Sequence, residues 1–367
     1  MLVYLESSMK YLNALNLIQG LGPQKMKRLL DFFGNSENIW KANFEELIKS
    51  GIRENLAENI IEKKKSIDPD AEWEKLEREN IKIVALKDEN YPQLLQEIPN
   101  PPYIIYMKGN FDNPNDQLML AIVGSRKFTS YGKQVAYTFA HDLARAGITI
   151  VSGMALGIDA VAHQGALDAG GKTIAILGSS LEDLNIGPKT NFDLSRRIMD
   201  SGLLLSDYPI GISSIPTNFP ARNRLMAGMA IGTIVVEAAE DSGSLITANL
   251  DLEFNREVFS VPGSVFSPVS IGTNNLIRSG AKIATSVKDI LEELNIERRT
   301  EIEKVKKIIP ENPTEVSILK ILSHEPLHID KIIKLSKLET SAASSALSLM
   351  EMKGIVKNIG GQNYIVL

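Results

Sequence analysis

Hydrophobic spacing divides the chain into three stretches. Up to about Ser66, apolar residues recur three and four positions apart in LNALNLI, MKRLLDFF and NLAENIIE, the period of one helix face. Turn residues at Gly20–Pro23 and Gly34–Asn35 separate these helices. From about Leu118 the pattern changes. LMLAIVGS, ITIVSG, TIAILG, LLLSDY, TIVVEA and EVFSVPG are short, β-branched and nearly all apolar, as strands buried on both faces of a parallel sheet are. Helical stretches lie between most of them: YGKQVAYTFAHDLARA, IDAVAHQGALDAG, NFDLSRRIMDSG, ARNRLMAGMA and LITANLDLEF. This alternation predicts an α/β domain, Rossmann-like, with a doubly wound and mainly parallel sheet. The connecting stretch holds one strand-like run, IKIVAL, and then YPQLLQEIPNPPYIIYMKG, whose prolines preclude a long helix. A charged helical linker, about Lys288 to Lys307, ends at Pro310 and Pro313. Beyond it, helices EVSILKILS, IDKIIKLS and SAASSALSLMEMKG and the hairpin IVKNIGGQNYIVL predict a winged helix. The expected domains are 1–66 (helical), 67–290 (Rossmann-like, core 118–281), a linker 291–310, and 311–367 (winged helix).

Composition narrows the class without naming a chemistry. At 367 residues, with 44% apolar and 23% charged residues, the chain is that of a multidomain globular protein. It has no cysteine, so disulfides and thiolate catalysis are both excluded. No apolar run approaches the roughly 18 residues that span a bilayer. The opening residues lack a basic segment followed by an unbroken apolar one, so a cytoplasmic protein with no membrane partner is expected. The formal charge of −5 argues against a nucleic-acid partner at face value. Affinity for phosphates follows local cations instead of the total, so placement decides.

Several central strands end alike, in small residues and then a helix. The turns are Gly124-Ser125-Arg126, Ser152-Gly153 through Gly157, Gly178-Ser179, and Val236-Glu237-Ala238 leading to Ser242-Gly243-Ser244. In a parallel sheet all of them lie at the carboxyl edge, where such folds take their ligands. Glycine allows close backbone approach, and helix N-termini add partial positive charge, so together the turns suit an anion. Formal cations reach the same edge. Arg126 follows the first turn and can pair bidentately with a phosphate. Lys189 stands three residues before Phe192, the cation-and-aromatic pairing that single-strand binders use. Arg222 and Arg224 flank Asn223, just after Asn218-Phe219-Pro220. Each turn alone also fits ordinary strand-to-helix connections; their joint occurrence favours the anion site.

Other patterns carry less. Asp159 and His163, four apart at a helix start, read as a capping carboxylate and a local partner, with a general base as the minority reading. His324-Glu325-Pro326-Leu327-His328 matches H-E-x-x-H, but Pro326 prevents the continuous helix that zinc would need, so no metal is expected. Gly170-Gly171-Lys172-Thr173 precedes a strand and reads as a helix exit, not a phosphate cradle. LGPQKMKRLL resembles half of a helix-hairpin-helix, in a block with ten Lys/Arg against eight Asp/Glu; a small packing module explains it as well. The first strand lacks a G-x-G-x-x-G turn and no cofactor is expected. With no visible catalytic set, binding is favoured over catalysis.

The central residues resemble those of the DprA (Smf) family of bacterial DNA-processing proteins. The resemblance runs from Tyr91 to Ala281 and includes AIVGSR, SGMALGIDAVAHQGAL, TIAILGS, NFPARNRLMAG, VVEAAEDSGSLITA, REVFSVPGSVFSP and GTNNLIRSGA. It implies a Rossmann-like domain that binds single-stranded DNA and protects it, loads the recombinase RecA in natural transformation, and forms a homodimer through that domain. The N-terminal helices resemble a sterile-alpha-motif-like domain. The binding motif carries over to Gly124, Ser125, Arg126, Lys189 and the segment Asn218 to Arg224. Leu156 and Ala221 stand where many members have a basic residue, which should weaken affinity for DNA. Ser180 replaces a common glycine, and Ile186-Gly187-Pro188 stands for a common Tyr-Pro pair.

The winged helix is the doubtful DNA reader. Residues 311–367 hold six Lys/Arg and six Asp/Glu, and Thr340 to Lys353 has one of each sign. A duplex reader presents a basic face, so a weak or protein-facing module is expected. Two other functions compete. One is a nucleotide or nucleoside-phosphate hydrolase with Glu237 and Asp159 as acids. The other is a transcription regulator whose winged helix reads duplex DNA.

Overall fold

A computed structural model describes residues 2–111, 113–296, 313–322, 326–352, 356–358 and 360–366. Residues 1–287 form one compact unit and residues 288–367 a second.

The first unit opens with six helices: α1 (Leu2–Asn16), α2 (Pro23–Phe33), α3 (Ser36–Lys41), α4 (Phe44–Lys49), α5 (Glu54–Lys63) and α6 (Pro69–Arg78). Their starts follow local rules. Pro23 occupies the first turn of α2, where no N–H is needed, and Asn43 with Glu46 closes a reciprocal capping box on α4.

A nine-stranded sheet follows. Its strands are β1 (Lys82–Ala85), β2 (Ile104–Gly109), β3 (Met119–Val123), β4 (Thr149–Ser152), β5 (Thr173–Ile176), β6 (Leu203–Ser206), β7 (Gly232–Val235), β8 (Glu257–Ser260) and β9 (Lys282–Ile283). Their spatial order is β1-β2-β6-β5-β4-β3-β7-β8-β9. From β6 to β9 every pairing is parallel; β1 and β2 add an antiparallel hairpin beside β6. The six expected parallel strands are β3 to β8, and IKIVAL supplies β1. The connecting stretch was expected to hold only that strand. Its IIYMKG run is also one, because Tyr106 to Gly109 pair with Leu203 to Ser206 across the sheet.

Helices α7 (Gln93–Gln96), α8 (Ser130–Arg145), α9 (Ile158–Asp168), α10 (Phe192–Ser201), α11 (Asn218–Met229), α12 (Ser244–Glu253) and α13 (Ile271–Arg278) complete the alternation. Successive strand residues point to opposite faces, and both faces are covered. Tyr106, Leu204 and Ala175 pack with Leu15, Leu29 and Ile60 of the N-terminal helices. Their neighbours Ile105, Met107, Leu203, Leu205, Ile174 and Ile176 pack with Leu95, Leu225, Met226 and Ala248 on the other side. The Tyr106 hydroxyl donates to Asn13 Oδ1 at 2.8 Å and accepts from Asn16 Nδ2 at 3.1 Å, which satisfies its buried polar atom and pins the helices to the sheet. Gly170 leaves α9 at positive φ and leads into β5, so the Gly-Gly-Lys-Thr run is a helix exit.

In the second unit, helices Pro313–Leu319, Ile329–Ser336 and Thr340–Met352 enclose a core of Ile318, Ile332, Leu347, Met350 and Tyr364 with a three-stranded sheet. His328 is in a short strand, and its Nδ1 accepts from Asp330 N–H at 3.3 Å to start the next helix. His324 and Glu325 lie outside the described residues, as does most of the expected linker.

Candidate nucleic-acid interface

The sheet changes direction between β3 and β7. From β3 the chain builds β4, β5 and β6 outward on one side, then returns to build β7, β8 and β9 on the other. Two adjacent strands whose connections leave in opposite directions open a crevice at their carboxyl ends. A cavity of about 550 Å³ lies there, lined by Gly124, Ser125, Arg126, Lys127, Asp159, Phe219, Arg222, Asn223, Ser244 and Thr247 among others.

The turns around it interlock. A Cβ on Gly124 would lie 2.8 Å from Ile158 Cγ1 and 3.0 Å from the Glu237 carbonyl oxygen. The Ser125 N–H donates to that same carbonyl at 2.7 Å, and its hydroxyl donates to the Lys127 carbonyl at 2.8 Å. Gly157 has φ +93°, and a side chain there would strike Ser125 O and Arg126 Cα, so the second turn supports the first. Gly153 leaves room for the Arg222 guanidinium. Gly178 lets Asn218 and Phe219 approach, and Asn218 Nδ2 donates to the Gly178 carbonyl at 2.9 Å. Ser244 shares a hydroxyl contact with Ser242 at 2.8 Å, and Asn223 Nδ2 donates to the Gly243 carbonyl at 3.2 Å.

Two of the expected polar contacts turn out to be internal. Ser152 Oγ donates to the Ile122 carbonyl at 2.6 Å and is fully buried, bracing β4 against β3. Ser179 Oγ donates to the Asn185 carbonyl at 2.9 Å, also out of solvent.

The four cations take different places. Arg222 is 3% exposed, and its Nη1 donates to the carbonyls of Gly153, at 2.7 Å, and Ile176. Burial pulls it down to about 10, against the attraction of Asp159. Asp159 accepts from the N–H groups of Gly153 at 3.2 Å and Ala155 at 3.4 Å; burial raises its pKa and Arg222 opposes that rise. This pair forms the floor. Arg224 turns away, to Asp207 and to the Asn100 carbonyl at 3.2 Å. Arg126 is exposed, forms no salt bridge among the described residues, and sits over the Phe219 ring at 5.1 Å. Lys189 is exposed in the single turn Lys189–Asn191, which Asn191 Nδ2 ties to the Met154 carbonyl at 2.9 Å. Phe192 packs partly into the core, and the cation over its ring, at 5.1 Å, is Arg196 rather than Lys189.

Three features were missed in the sequence. Lys127 lines the crevice beside Arg126. Glu237 is a brace: its carboxylate accepts from Thr129 N–H at 2.9 Å and Thr129 Oγ1 at 2.5 Å, fixing the start of α8. His163 does not pair with Asp159; its Nδ1 meets Thr173 Oγ1 at 2.7 Å, and burial lowers it to about 3. Thus Glu237 and Asp159, the candidate acids of a hydrolase, are both engaged in holding turns.

Comparison with known proteins fits this layout. The family model for DNA recombination-mediator protein A matches residues 82–295, and the DprA winged-helix model matches 304–362. A Synechocystis protein, Smf, is 34% identical over 98% of this chain and 98% of its own. The chain belongs to the DprA (Smf) family. A DprA from Bacillus subtilis is 39% identical over 59% of this chain and 72% of its own. The solved DprA of Streptococcus pneumoniae superposes with a TM-score of 0.67 at 35% identity, covering 77% of this chain and 97% of that one. The structure of the Helicobacter pylori protein, described for its single-stranded DNA binding mode, gives 0.53 at 32% identity, covering 59% and 96%. In this DprA-family chain Leu156 and Ala221, the two positions expected from the resemblance to replace cations, are both exposed.

Proposed function

We propose that the chain binds single-stranded DNA along the carboxyl edge of its sheet and acts as a recombination mediator without chemistry of its own. The observation that carries this is the exposed Arg126 at the mouth of the switch-point crevice, without a salt bridge among the described residues, set over the Phe219 ring and backed by glycine turns. An exposed guanidinium on an aromatic face offers phosphate and base contacts together. Lys127 and Lys189 extend the cationic side, and Gly124, Ser125, Asn223 and Ser244 shape the backbone around it. The Helicobacter pylori relative supports the same ligand.

The finer assignments follow from the family resemblance: protection of incoming strands, loading of RecA, and a place in natural transformation, which together imply a cytoplasmic protein. Homodimerisation through the Rossmann-like domain belongs with them; the sheet ends at the two-residue strand β9, where Ile283 is exposed. Among the described residues no helix is long and apolar enough to cross a membrane.

Titration of a fluorescent oligonucleotide tests the reading. Binding should be salt-sensitive, indifferent to sequence, stronger for single than double strands, and weakened by Arg126→Ala and Lys189→Ala. Base or phosphate release from a nucleotide panel would favour the hydrolase instead.

A further inference from the structure

We propose that the crevice continues past β7 into an aromatic platform, made by Phe266, Tyr131 and Phe128, that stacks unpaired nucleobases. This rests on the single-strand reading above and extends it to a second part of the same edge.

The platform begins where the cations stop. After β8 the chain makes a tight turn, Ser264 to Ser267, closed by the Ser267 N–H donating to the Ser264 carbonyl at 3.0 Å. Val265 and Phe266 form its tip, 79% and 94% exposed. Such exposure of a phenyl ring gains nothing for folding, since the ring buries no area against the chain. The turn is braced: Tyr131 Oη donates to the Pro262 carbonyl at 2.9 Å, and Asn274 Nδ2 donates to the Gly263 carbonyl at 3.1 Å. A hollow of about 410 Å³ lies between Tyr131 and the turn, lined by Gly263, Ser264 and Ser267. Tyr131 keeps about half of its surface exposed, and Phe128 more than a third.

Phe128 joins the two parts. It stands between Lys127, which lines the crevice, and Thr129, which lines the hollow. Since β3, β7 and β8 are neighbours, the first turn and the Phe266 turn are about two strand spacings, roughly 10 Å, apart along the edge.

Charge decides which part of the nucleic acid meets this side. Arg126, Lys127 and Lys189 follow β3 and β5. In the turn that follows β7 the exposed charged side chains are Glu240 and Asp241. The exposed Arg278 and Lys282 stand at the end of α13 and the start of β9, toward the amino edge of the sheet, and Arg256 is held by Glu97 and the Leu94 carbonyl. Phosphates are attracted to the first side and repelled from the second. A strand crossing from one to the other therefore turns its bases toward Phe266, Tyr131 and Phe128. Aromatic faces accept any base, in keeping with sequence-independent binding.

The test compares full-length wild type, Phe266→Ala and Arg126→Ala with a mixed-sequence single strand and an abasic strand of equal length, across a salt series. Phe266 is exposed, so its replacement leaves folding intact. The expected result is about a tenfold loss of affinity for the mixed-sequence strand in Phe266→Ala, with no loss for the abasic strand and an unchanged salt slope. Arg126→Ala should weaken both strands and lower the slope. Phe266→Trp should retain affinity and show tryptophan quenching on single-strand binding. Loss in Arg126→Ala with none in Phe266→Ala overturns the platform and leaves the crevice reading standing. Loss in neither overturns the crevice reading itself. A changed oligomeric state in Phe266→Ala with DNA affinity intact makes the tip a contact between copies, and also overturns the platform.

Discussion

The floor and the rim of the crevice are built from the same residue types and do opposite work. Arg222 on the floor is buried, with its charge set against Asp159 and its N–H groups on the carbonyls of Gly153 and Ile176. Arg126 on the rim is exposed, with a ring beneath it and no carboxylate partner among the described residues. The floor arginine ties α11 to the turns after β4 and β5 and gives the crevice its shape. The rim arginine is free to meet a ligand. Membership in one motif therefore does not assign one role, and Arg224, two residues on, serves a third place entirely.

Variants can separate the layers. Arg222→Met should have the largest effect on folding, about 3 kcal/mol, because it leaves Asp159 buried without its counter-charge. Chemical denaturation measures it; an unchanged midpoint would dissolve the distinction between floor and rim. Gly157→Ala should destabilise by about 2 kcal/mol, since alanine at φ +93° is strained and its Cβ would strike Ser125 and Arg126. DNA binding should weaken with it, as the first turn is displaced.

Buried groups should also set the response to pH. Burial lifts Asp251 to about 7, so between about pH 4 and 7 the folded chain keeps a proton that the unfolded chain releases. Its contribution is present at low pH and is lost as pH rises through that window. His163, lowered to about 3, acts the other way: its contribution is present above about pH 6.5 and lost as pH falls. Relative to wild type, Asp251→Asn should make stability rise more steeply with pH, by about 1.4 kcal/mol per unit between pH 4 and 7. Thermal melts across that range check the slope, and Arg126→Ala should leave it unaltered. The rim variant should have the smallest effect on folding, within about 0.5 kcal/mol, while removing about one phosphate contact from the salt dependence.

Much of this was legible in the sequence. Strands β3 to β8 were readable because burial on both faces demands unbroken apolar runs. Strand β2 was not, because its run follows Pro101-Pro102 and its partner β6 lies far along the chain. The carboxyl-edge turns were readable as a set, since glycine and serine after each strand leave a local mark. What each side chain does was less so. Ser152 and Ser179 resemble phosphate-binding serines, yet they satisfy buried carbonyls on neighbouring segments. Glu237 resembles a catalytic acid and instead braces Thr129. Burial of Arg222 depends on Gly153 and Ile176 converging from two other turns, which no local pattern announces.

The central claim is that exposed cations at the switch point hold a single DNA strand. Its most direct test is binding of single- and double-stranded oligonucleotides of one sequence, with wild type and Arg126→Ala, across a salt series. The account predicts tighter binding of the single strand, affinity falling with salt, and a shallower slope, by about one unit, in the variant. Equal affinity for both forms, with the variant indistinguishable from wild type, would contradict it.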